Sequence, residues 1–289
     1  MRALLIDTYS LFFRAFHALP PMNTADGTPT NAICGFASLL IKLLREHTPD
    51  GIAFALDLPG ETERKRAYPE YKGGRAPVPS DLVRQLQLLD RLIGALGFPA
   101  FGVPGFEADD VLATLARRLG ERGADVLIAS GDRDSLQLVR ERTHVLFMGR
   151  RGAPEQLYDV PAVVARFGLS PEQLPSYVAL VGDPSDNLPK VPGIGPRTAQ
   201  QLIAEHGSAV ALLAKLPEVR SEKLRATLSA HAERLLRNDA LARLHDDLPL
   251  DAEPLVAPFT MTARQRTAEL LEQLECKSLL PRLMALPAV

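Results

Sequence analysis

Three apolar runs in this chain stop on acid. Ala3-Leu4-Leu5-Ile6 leads into Asp7, Ile52-Ala53-Phe54-Ala55-Leu56 into Asp57, and Val126-Leu127-Ile128-Ala129 is followed closely by Asp132 and Asp134. Short apolar runs bounded by turn formers, alternating with longer segments of helical periodicity, are the mark of strands buried on both faces of a parallel sheet. Ligands of such sheets gather beyond the carboxyl ends of the strands, and all three runs deliver carboxylates to that edge. Two like charges about 4 Å apart cost each other roughly 4 kcal/mol at an effective dielectric of about 20. A cluster of them protonates or separates unless a cation neutralises it, and an all-oxygen set suits a hard divalent ion, Mg²⁺ or Mn²⁺. A single Asp after a strand is ordinary, because doubly wound folds place one on a ribose hydroxyl and others cap the next helix. Three strands ending alike point to metal.

More acid arrives on other elements. In Pro104-Gly105-Phe106-Glu107-Ala108-Asp109-Asp110-Val111-Leu112, turn residues precede a helix whose apolar face continues through Leu115, Ala116 and Leu119. Glu107, Asp109 and Asp110 therefore occupy its first turn. Complementarity to the helix dipole favours acids there by about 0.3 to 1 kcal/mol, but this clustering exceeds what capping requires. Val181-Gly182-Asp183-Pro184-Ser185-Asp186-Asn187-Leu188-Pro189 places two further Asp in a loop rich in turn formers, which alone reads as an Asx-type turn.

Lys190-Val191-Pro192-Gly193-Ile194-Gly195-Pro196-Arg197-Thr198 follows at once. Its glycines permit a tight turn with exposed N–H groups and Pro196 suits the first helical position. An open helix N-terminus behind a glycine turn binds phosphate. Flanked by Lys190 and Arg197, such a turn grips backbone phosphates without regard to sequence. Between Asp57 and the next long helix lies the most basic short stretch, Arg64-Lys65-Arg66-Ala67-Tyr68-Pro69-Glu70-Tyr71-Lys72-Gly73-Gly74-Arg75. Cations interleaved with tyrosines suit a lid over a nucleic-acid strand, with Tyr71 available to stack on bases; a solvated basic loop is the plainer alternative.

In order along the chain, Asp7 with Arg14-Ala15-Phe16-His17-Ala18, Asp57 with Tyr71-Lys72-Gly73-Gly74-Arg75, Glu107-Ala108-Asp109-Asp110, Ser130-Gly131-Asp132-Arg133-Asp134, Gly182-Asp183-Pro184-Ser185-Asp186-Asn187 and Gly193-Ile194-Gly195 resemble the bacterial 5′→3′ exonuclease and flap endonuclease family. That family includes the N-terminal nuclease domain of DNA polymerase I and its free-standing paralogues. The resemblance covers nearly the whole chain, and ordered motifs are far more specific than any one of them.

The resemblance implies a PIN-like α/β core, a doubly wound and mostly parallel sheet carrying a helical arch, followed by a helical helix-hairpin-helix subdomain. It implies a first metal held by Asp7, Asp57, Glu107 and Asp109 and a second by Asp132, Asp134 and Asp186, with Asp110 and Asp183 in the ligand shell. Lys72 and Arg75 are expected at the scissile phosphate and Arg14 near the substrate. Arg64 and Tyr71 are expected as DNA contacts at the base of the arch. Lys190, Gly193, Ile194, Gly195, Arg197 and Thr198 are expected on duplex DNA, where family members also hold K⁺ through loop carbonyls. The implied reaction is hydrolysis of DNA at 5′ flaps, nicks and 5′-ended duplexes by two Mg²⁺ or Mn²⁺ ions, leaving a 5′-phosphate, in replication and repair. Two departures stand out: Thr8 replaces the Gly that often follows the first Asp, and Glu63 precedes Arg64 where the family often has Phe.

A small-molecule phosphohydrolase would need an Asp-x-Asp nucleophile after the first strand, which Asp7-Thr8-Tyr9 does not supply. A DNA-end binding module would have no use for so many acids. Cys34 and Cys276 lie far apart and outside any metal or nucleophile motif, as suits a reducing cytoplasm. No apolar run approaches a membrane span. The formal charge of −2 hides an asymmetry, with acids in the proposed site and cations enriched toward the C-terminal helices. The expected organisation is a catalytic unit over 1–167, with the arch near 58–80, and a helical DNA-binding region over 168–289, acting as a monomer.

Overall fold

The computed structural model describes residues 1–74, 77–149, 154–250 and 253–286. The first part alternates strand and helix: β1 (Arg2–Asp7), α1 (Thr8–Ala18), α2 (Asn31–His47), β2 (Gly51–Ala55), α3 (Glu63–Ala67), α4 (Ser80–Leu96), β3 (Ala100–Phe101), α5 (Ala108–Glu121), β4 (Asp125–Ser130), β5 (Thr143–Phe147) and β6 (Gln156–Tyr158). Helices then take over: α6 (Val160–Phe167), α7 (Leu174–Val181), α8 (Pro196–His206), α9 (Ala209–Ala214), α10 (Glu222–Ala230), α11 (Ala232–Ala242), α12 (Met261–Gln273) and α13 (Leu280–Met284).

The strands form one sheet in the order β3-β2-β1-β4-β5-β6, parallel throughout except for the antiparallel edge strand β6. Continuous apolar runs suit this sheet because both faces are covered. Along β1, Ala3 and Leu5 face one apolar cluster while Leu4 and Ile6 face the other. β2 repeats the alternation, with Ala53 and Ala55 opposite in sense to Ile52 and Phe54. The second cluster is built with α1, α2 and α4, where Leu11, Phe12, Ile33, Phe36, Leu40 and Leu89 are all buried. Each such side chain contributes roughly 1.5–3 kcal/mol on leaving water.

The first cluster runs from α5 without a break into the helical region, through Leu174, Leu180, Ile194, Ile203, Leu212 and Leu235. α12 and α13 do not stay with that region. Phe259, Ala263, Leu270, Leu271, Leu274 and Leu283 join α2 and α4 in the second cluster, and Ala257 makes an antiparallel bridge to Ile52 on the otherwise unpaired lower edge of β2. The expected helical unit over 168–289 is therefore corrected in its last part, whose apolar residues are buried against the sheet's other face. Cys34 of α2 and Cys276 form a disulfide across this contact, with Cα atoms 5.7 Å apart. Their separation in the sequence concealed that pairing. No helix among the described residues is long and apolar enough to cross a membrane.

Candidate functional site

The strand order reverses direction at β1, so the connections leaving β1 and β4 diverge and open a crevice beyond their carboxyl ends. Asp7 closes β1 there. The β1–β4 register pairs Ile6 with Ala129, which sets Asp7 beside Ser130, whose hydroxyl donates to Asp7 Oδ2 at 2.5 Å. Asp7 also caps α1 by accepting from Ser10 N. Burial pushes the Asp7 carboxyl up to about 7; the Ser130 hydrogen bond opposes this, and the charges of Asp132 and Asp57 reinforce it.

The other acids crowd the same crevice. Asp57 follows β2 at the surface and accepts from Ala108 N at 2.9 Å, tying the strand end to the first turn of α5. Asp109 has a buried Oδ1 with no hydrogen-bond partner. Burial, then the charges of Asp132 and Asp7, raise its carboxyl well above the usual range. Asp134 is raised by burial and then by Asp132, Asp186 and Asp183. Asp132 is raised by burial, with Asp186 and Asp183 adding, and it accepts from Asp134 N at 3.0 Å. Asp183 accepts from Ser185 N at 2.7 Å. These residues share one electrostatic neighbourhood. Among the described residues, however, no three or more His, Cys, Asp or Glu side chains stand as a group able to hold a metal ion. Several of the carboxylates are instead engaged by hydroxyls, Lys72 and backbone amides. The donor set fits a hard divalent ion all the same: it is all oxygen, anionic and self-repelling, with one buried oxygen unpartnered.

Glu107 caps α5 and collects the cations of the site. Lys72 Nζ lies 2.8 Å from Glu107 Oε1 and 4.0 Å from Asp186 Oδ1. The Tyr71 hydroxyl lies 2.7 Å from Asp186 Oδ2 and 3.1 Å from Glu107 Oε2. Burial and the charges of Glu107 and Asp186 raise the Tyr71 pKa, so the phenol keeps its proton. Only 3% exposed, Tyr71 has no face to offer a base. The expected stacking contact is corrected to a brace between two carboxylates.

Arg64 and Asp110 are corrected together. Arg64 is buried and grips Asp110 with bonds of 2.6 and 2.7 Å, while donating to the carbonyls of Leu241 and Arg243 at 2.9 Å each. Asp110, fully buried, also accepts from Glu107 N and His245 N. Burial works against both charges, yet the pairing holds the Asp110 carboxyl below its ordinary value and raises Arg64. Buried against each other, neither the Arg64 guanidinium nor the Asp110 carboxylate is presented to solvent, contrary to the DNA contact and ligand-shell place expected of them. They bind α3, α5 and the segment after α11 into one base beneath the site. Arg14 is half-buried and lines, with Asp132, Asp134 and Asp183, a cleft of about 1180 Å³ between the sheet edge and α7. Arg75 lies outside the described residues.

The acid loop ends in the glycine hairpin. Gly182 has φ +76, and a Cβ there would come within 2.6 Å of Leu188 O and Lys190 N, so only glycine lets the loop close. Asp183 and Leu188 then exchange backbone hydrogen bonds of 3.0 and 2.8 Å. In the hairpin, Gly193 adopts φ +74 and Gly195 caps α8 behind Pro196. A Cβ at either glycine would meet nothing within 4 Å, which leaves the turn open to an outside group. Lys190 and Arg197 are exposed and Thr198 half-buried. Ile194 is 3% exposed and packs in the first cluster beside Val191 and Ile203. It anchors the hairpin from within, and its side chain is corrected from a DNA contact. Ser130 and Asn187 had passed as ordinary members of their motifs; a small hydroxyl at a strand end was the only local sign of the former.

Residues 2–168 match the family described as 5′-3′ exonuclease, N-terminal resolvase-like domain, and residues 169–265 match 5′-3′ exonuclease, C-terminal SAM fold. The chain is 42% identical over 283 residues to DNA polymerase I of Mycobacterium tuberculosis, covering 97% of this chain and 31% of that protein. It is 43% identical over 280 residues to the thermostable DNA polymerase I of Thermus thermophilus, covering 96% and 33%. The chain thus spans about a third of the length of these relatives. Among solved structures, the bacteriophage T5 flap endonuclease in a pseudo-enzyme-product complex with DNA and metal ions superposes with a TM-score of 0.68 at 24% identity, covering 95% of this chain and all of that one. This last likeness establishes the fold.

Proposed function

The chain belongs to the 5′-3′ exonuclease family, and on that premise we propose that it hydrolyses DNA phosphodiester bonds near 5′ ends, flaps and nicks with two divalent ions, Mg²⁺ or Mn²⁺. The carrying observation is the gathering of carboxylates at the sheet's crevice, where burial and mutual repulsion hold Asp7, Asp109, Asp132 and Asp134 above their ordinary pKa. We assign Asp7, Asp57, Glu107 and Asp109 to one ion and Asp132, Asp134 and Asp186 to the other, with Asp183 beside them. When bound, such ions supply a water of lowered pKa and charge stabilisation for the leaving oxygen.

The chain's own residues do the rest. Tyr71 braces Glu107 against Asp186 and so fixes the spacing of the two halves of the site. Lys72, held at Glu107, turns its ammonium toward a phosphate oxygen of the substrate, where developing charge makes a positioned cation most valuable. Arg14 orients the strand in the cleft. The Gly193–Gly195 turn, with Lys190, Arg197 and Thr198, receives duplex phosphates on exposed N–H groups and cations, and the same turn is our site for K⁺. A monomer suffices for this arrangement; the cytoplasm proposed for it has to accommodate the Cys34–Cys276 disulfide, which the separated cysteines had not suggested.

The test compares a 5′-flap, a nicked duplex and a small phosphomonoester in Mg²⁺ and in EDTA. Cutting of the DNA substrates alone, abolished by EDTA and by Asp132→Ala while duplex binding persists, is expected. Full cutting by Asp132→Ala would refute the metal assignment.

A further inference from the structure

Lys72 is the catalytic cation of the proposed reaction, yet its backbone adopts φ +54, a left-handed conformation that a residue with a Cβ rarely takes. Something outside the turn must hold it there. Among the described residues only four non-glycine positions have positive φ, and a second one, Asn187 at φ +57, lies directly across from Lys72. The two segments are laced by main-chain and side-chain bonds. Lys72 N donates to Asp186 O at 3.1 Å. Asn187 Nδ2 donates to Glu70 O at 2.8 Å, the same carbonyl that accepts Gly73 N at 2.9 Å and closes the turn around Lys72. Asn187 is exposed, lies outside the apolar clusters, and is one of the few residue types at ease with this φ.

We propose that Asn187 is a positioning residue for Lys72: its side chain clamps the Glu70–Gly73 turn to the acid loop, so that the ammonium and Asp186 are presented to the same phosphate. The inference rests on the nuclease reading. It adds to it a reason for an asparagine at the end of the acid loop, where the backbone conformation alone would be met by glycine. The clamp also makes the acid loop and the basic segment one unit, since moving either displaces both a carboxylate and the cation.

The test uses Asn187→Gly, which keeps the left-handed backbone and removes the donor, and Asn187→Asp, which keeps the shape and replaces the donor with an acceptor facing Glu70 O. Single-turnover cleavage of a nicked duplex in Mg²⁺ is measured for each, alone and combined with Lys72→Ala. Both variants are expected to cut about five- to tenfold more slowly, the loss of roughly one hydrogen bond, with KM and melting temperature nearly unchanged. In the Lys72→Ala background the same substitutions are expected to have almost no further effect, because residues acting as one unit are not additive. A wild-type rate in both variants, or a loss that persists in full without Lys72, overturns the proposal while leaving the nuclease reading intact. A wild-type protein that cuts no DNA in Mg²⁺ refutes that reading, and the inference with it.

Discussion

Arg64 and Asp110 form a bidentate ion pair in which the Asp110 carboxylate has no exposure to solvent at all. The planar fork of the guanidinium matches the carboxylate edge for edge, and its remaining donors end on the carbonyls of Leu241 and Arg243 and on Glu107 Oε2. The pair is therefore a keystone between the basic segment, α5 and the chain leaving α11. Removing one partner strands a buried charge.

The expected result is a loss of about 3–5 kcal/mol in unfolding free energy for Arg64→Ala or Asp110→Asn, measured by urea denaturation. Arg64→Lys should recover little, because an ammonium cannot reproduce the fork. Were Asp110 a metal ligand instead, Asp110→Asn would weaken Mg²⁺ binding and leave stability close to wild type.

The raised carboxyls make stability in the absence of metal depend on pH in a definite sense. Unfolded, Asp7 loses its proton near the ordinary value of 3.8; folded, it keeps it to about 7. Between those values the folded state holds more protons, so stability falls as pH rises. The contribution is complete below pH 3.8 and gone above about pH 7. In EDTA the melting temperature should decline from pH 5 to pH 8, and the increment produced by saturating Mg²⁺ should grow over the same interval, since the ion binds the ionised set and only the folded state. A melting temperature flat with pH in EDTA would contradict the crowding of these groups.

Much of this site was legible in the sequence because its carboxylates sit where a parallel sheet must deliver them. Asp7, Asp57, Asp132 and Asp134 follow strands whose apolar runs are unmistakable. Partner choice was not legible. Arg64 and Tyr71 lie in a stretch whose composition reads as a solvated basic lid, and only tertiary packing turns both side chains inward onto acids. Ile194 carried a plain signal, an apolar residue between two exposed glycines, that its motif obscured. The return of α12 to the sheet could not be read either, because an amphipathic helix announces that it has an apolar face and not which surface covers it.

The Cys34–Cys276 bond closes a loop spanning 242 residues, tying that returning helix to α2. Constraint of the unfolded chain by so long a loop is worth up to about 5 kcal/mol. Oxidised protein should lose its free thiols in a denatured thiol assay and melt higher than protein kept in reductant, and Cys276→Ser should abolish the difference. Equal melting temperatures with and without reductant would mean that packing of α12 and α13 alone carries the contact.

Lys72 provides the sharpest separation of chemistry from folding. Its ammonium is partly exposed and pairs with the buried Glu107; its removal leaves no apolar cavity, and Tyr71 and Arg64 still touch the Glu107 carboxylate. Stability should therefore change little. Catalysis should suffer, because a cation poised where charge develops typically contributes about a hundred- to a thousandfold. Lys72→Ala is expected to lower the single-turnover rate on a nicked duplex by that order, with duplex affinity in Ca²⁺ and melting temperature close to wild type. Lys72→Arg should restore part of the rate if charge at the phosphate is what matters. A variant that unfolds, or one that binds duplex poorly and cuts at the normal rate once saturated, would move Lys72 from the reaction to the scaffold or to substrate capture.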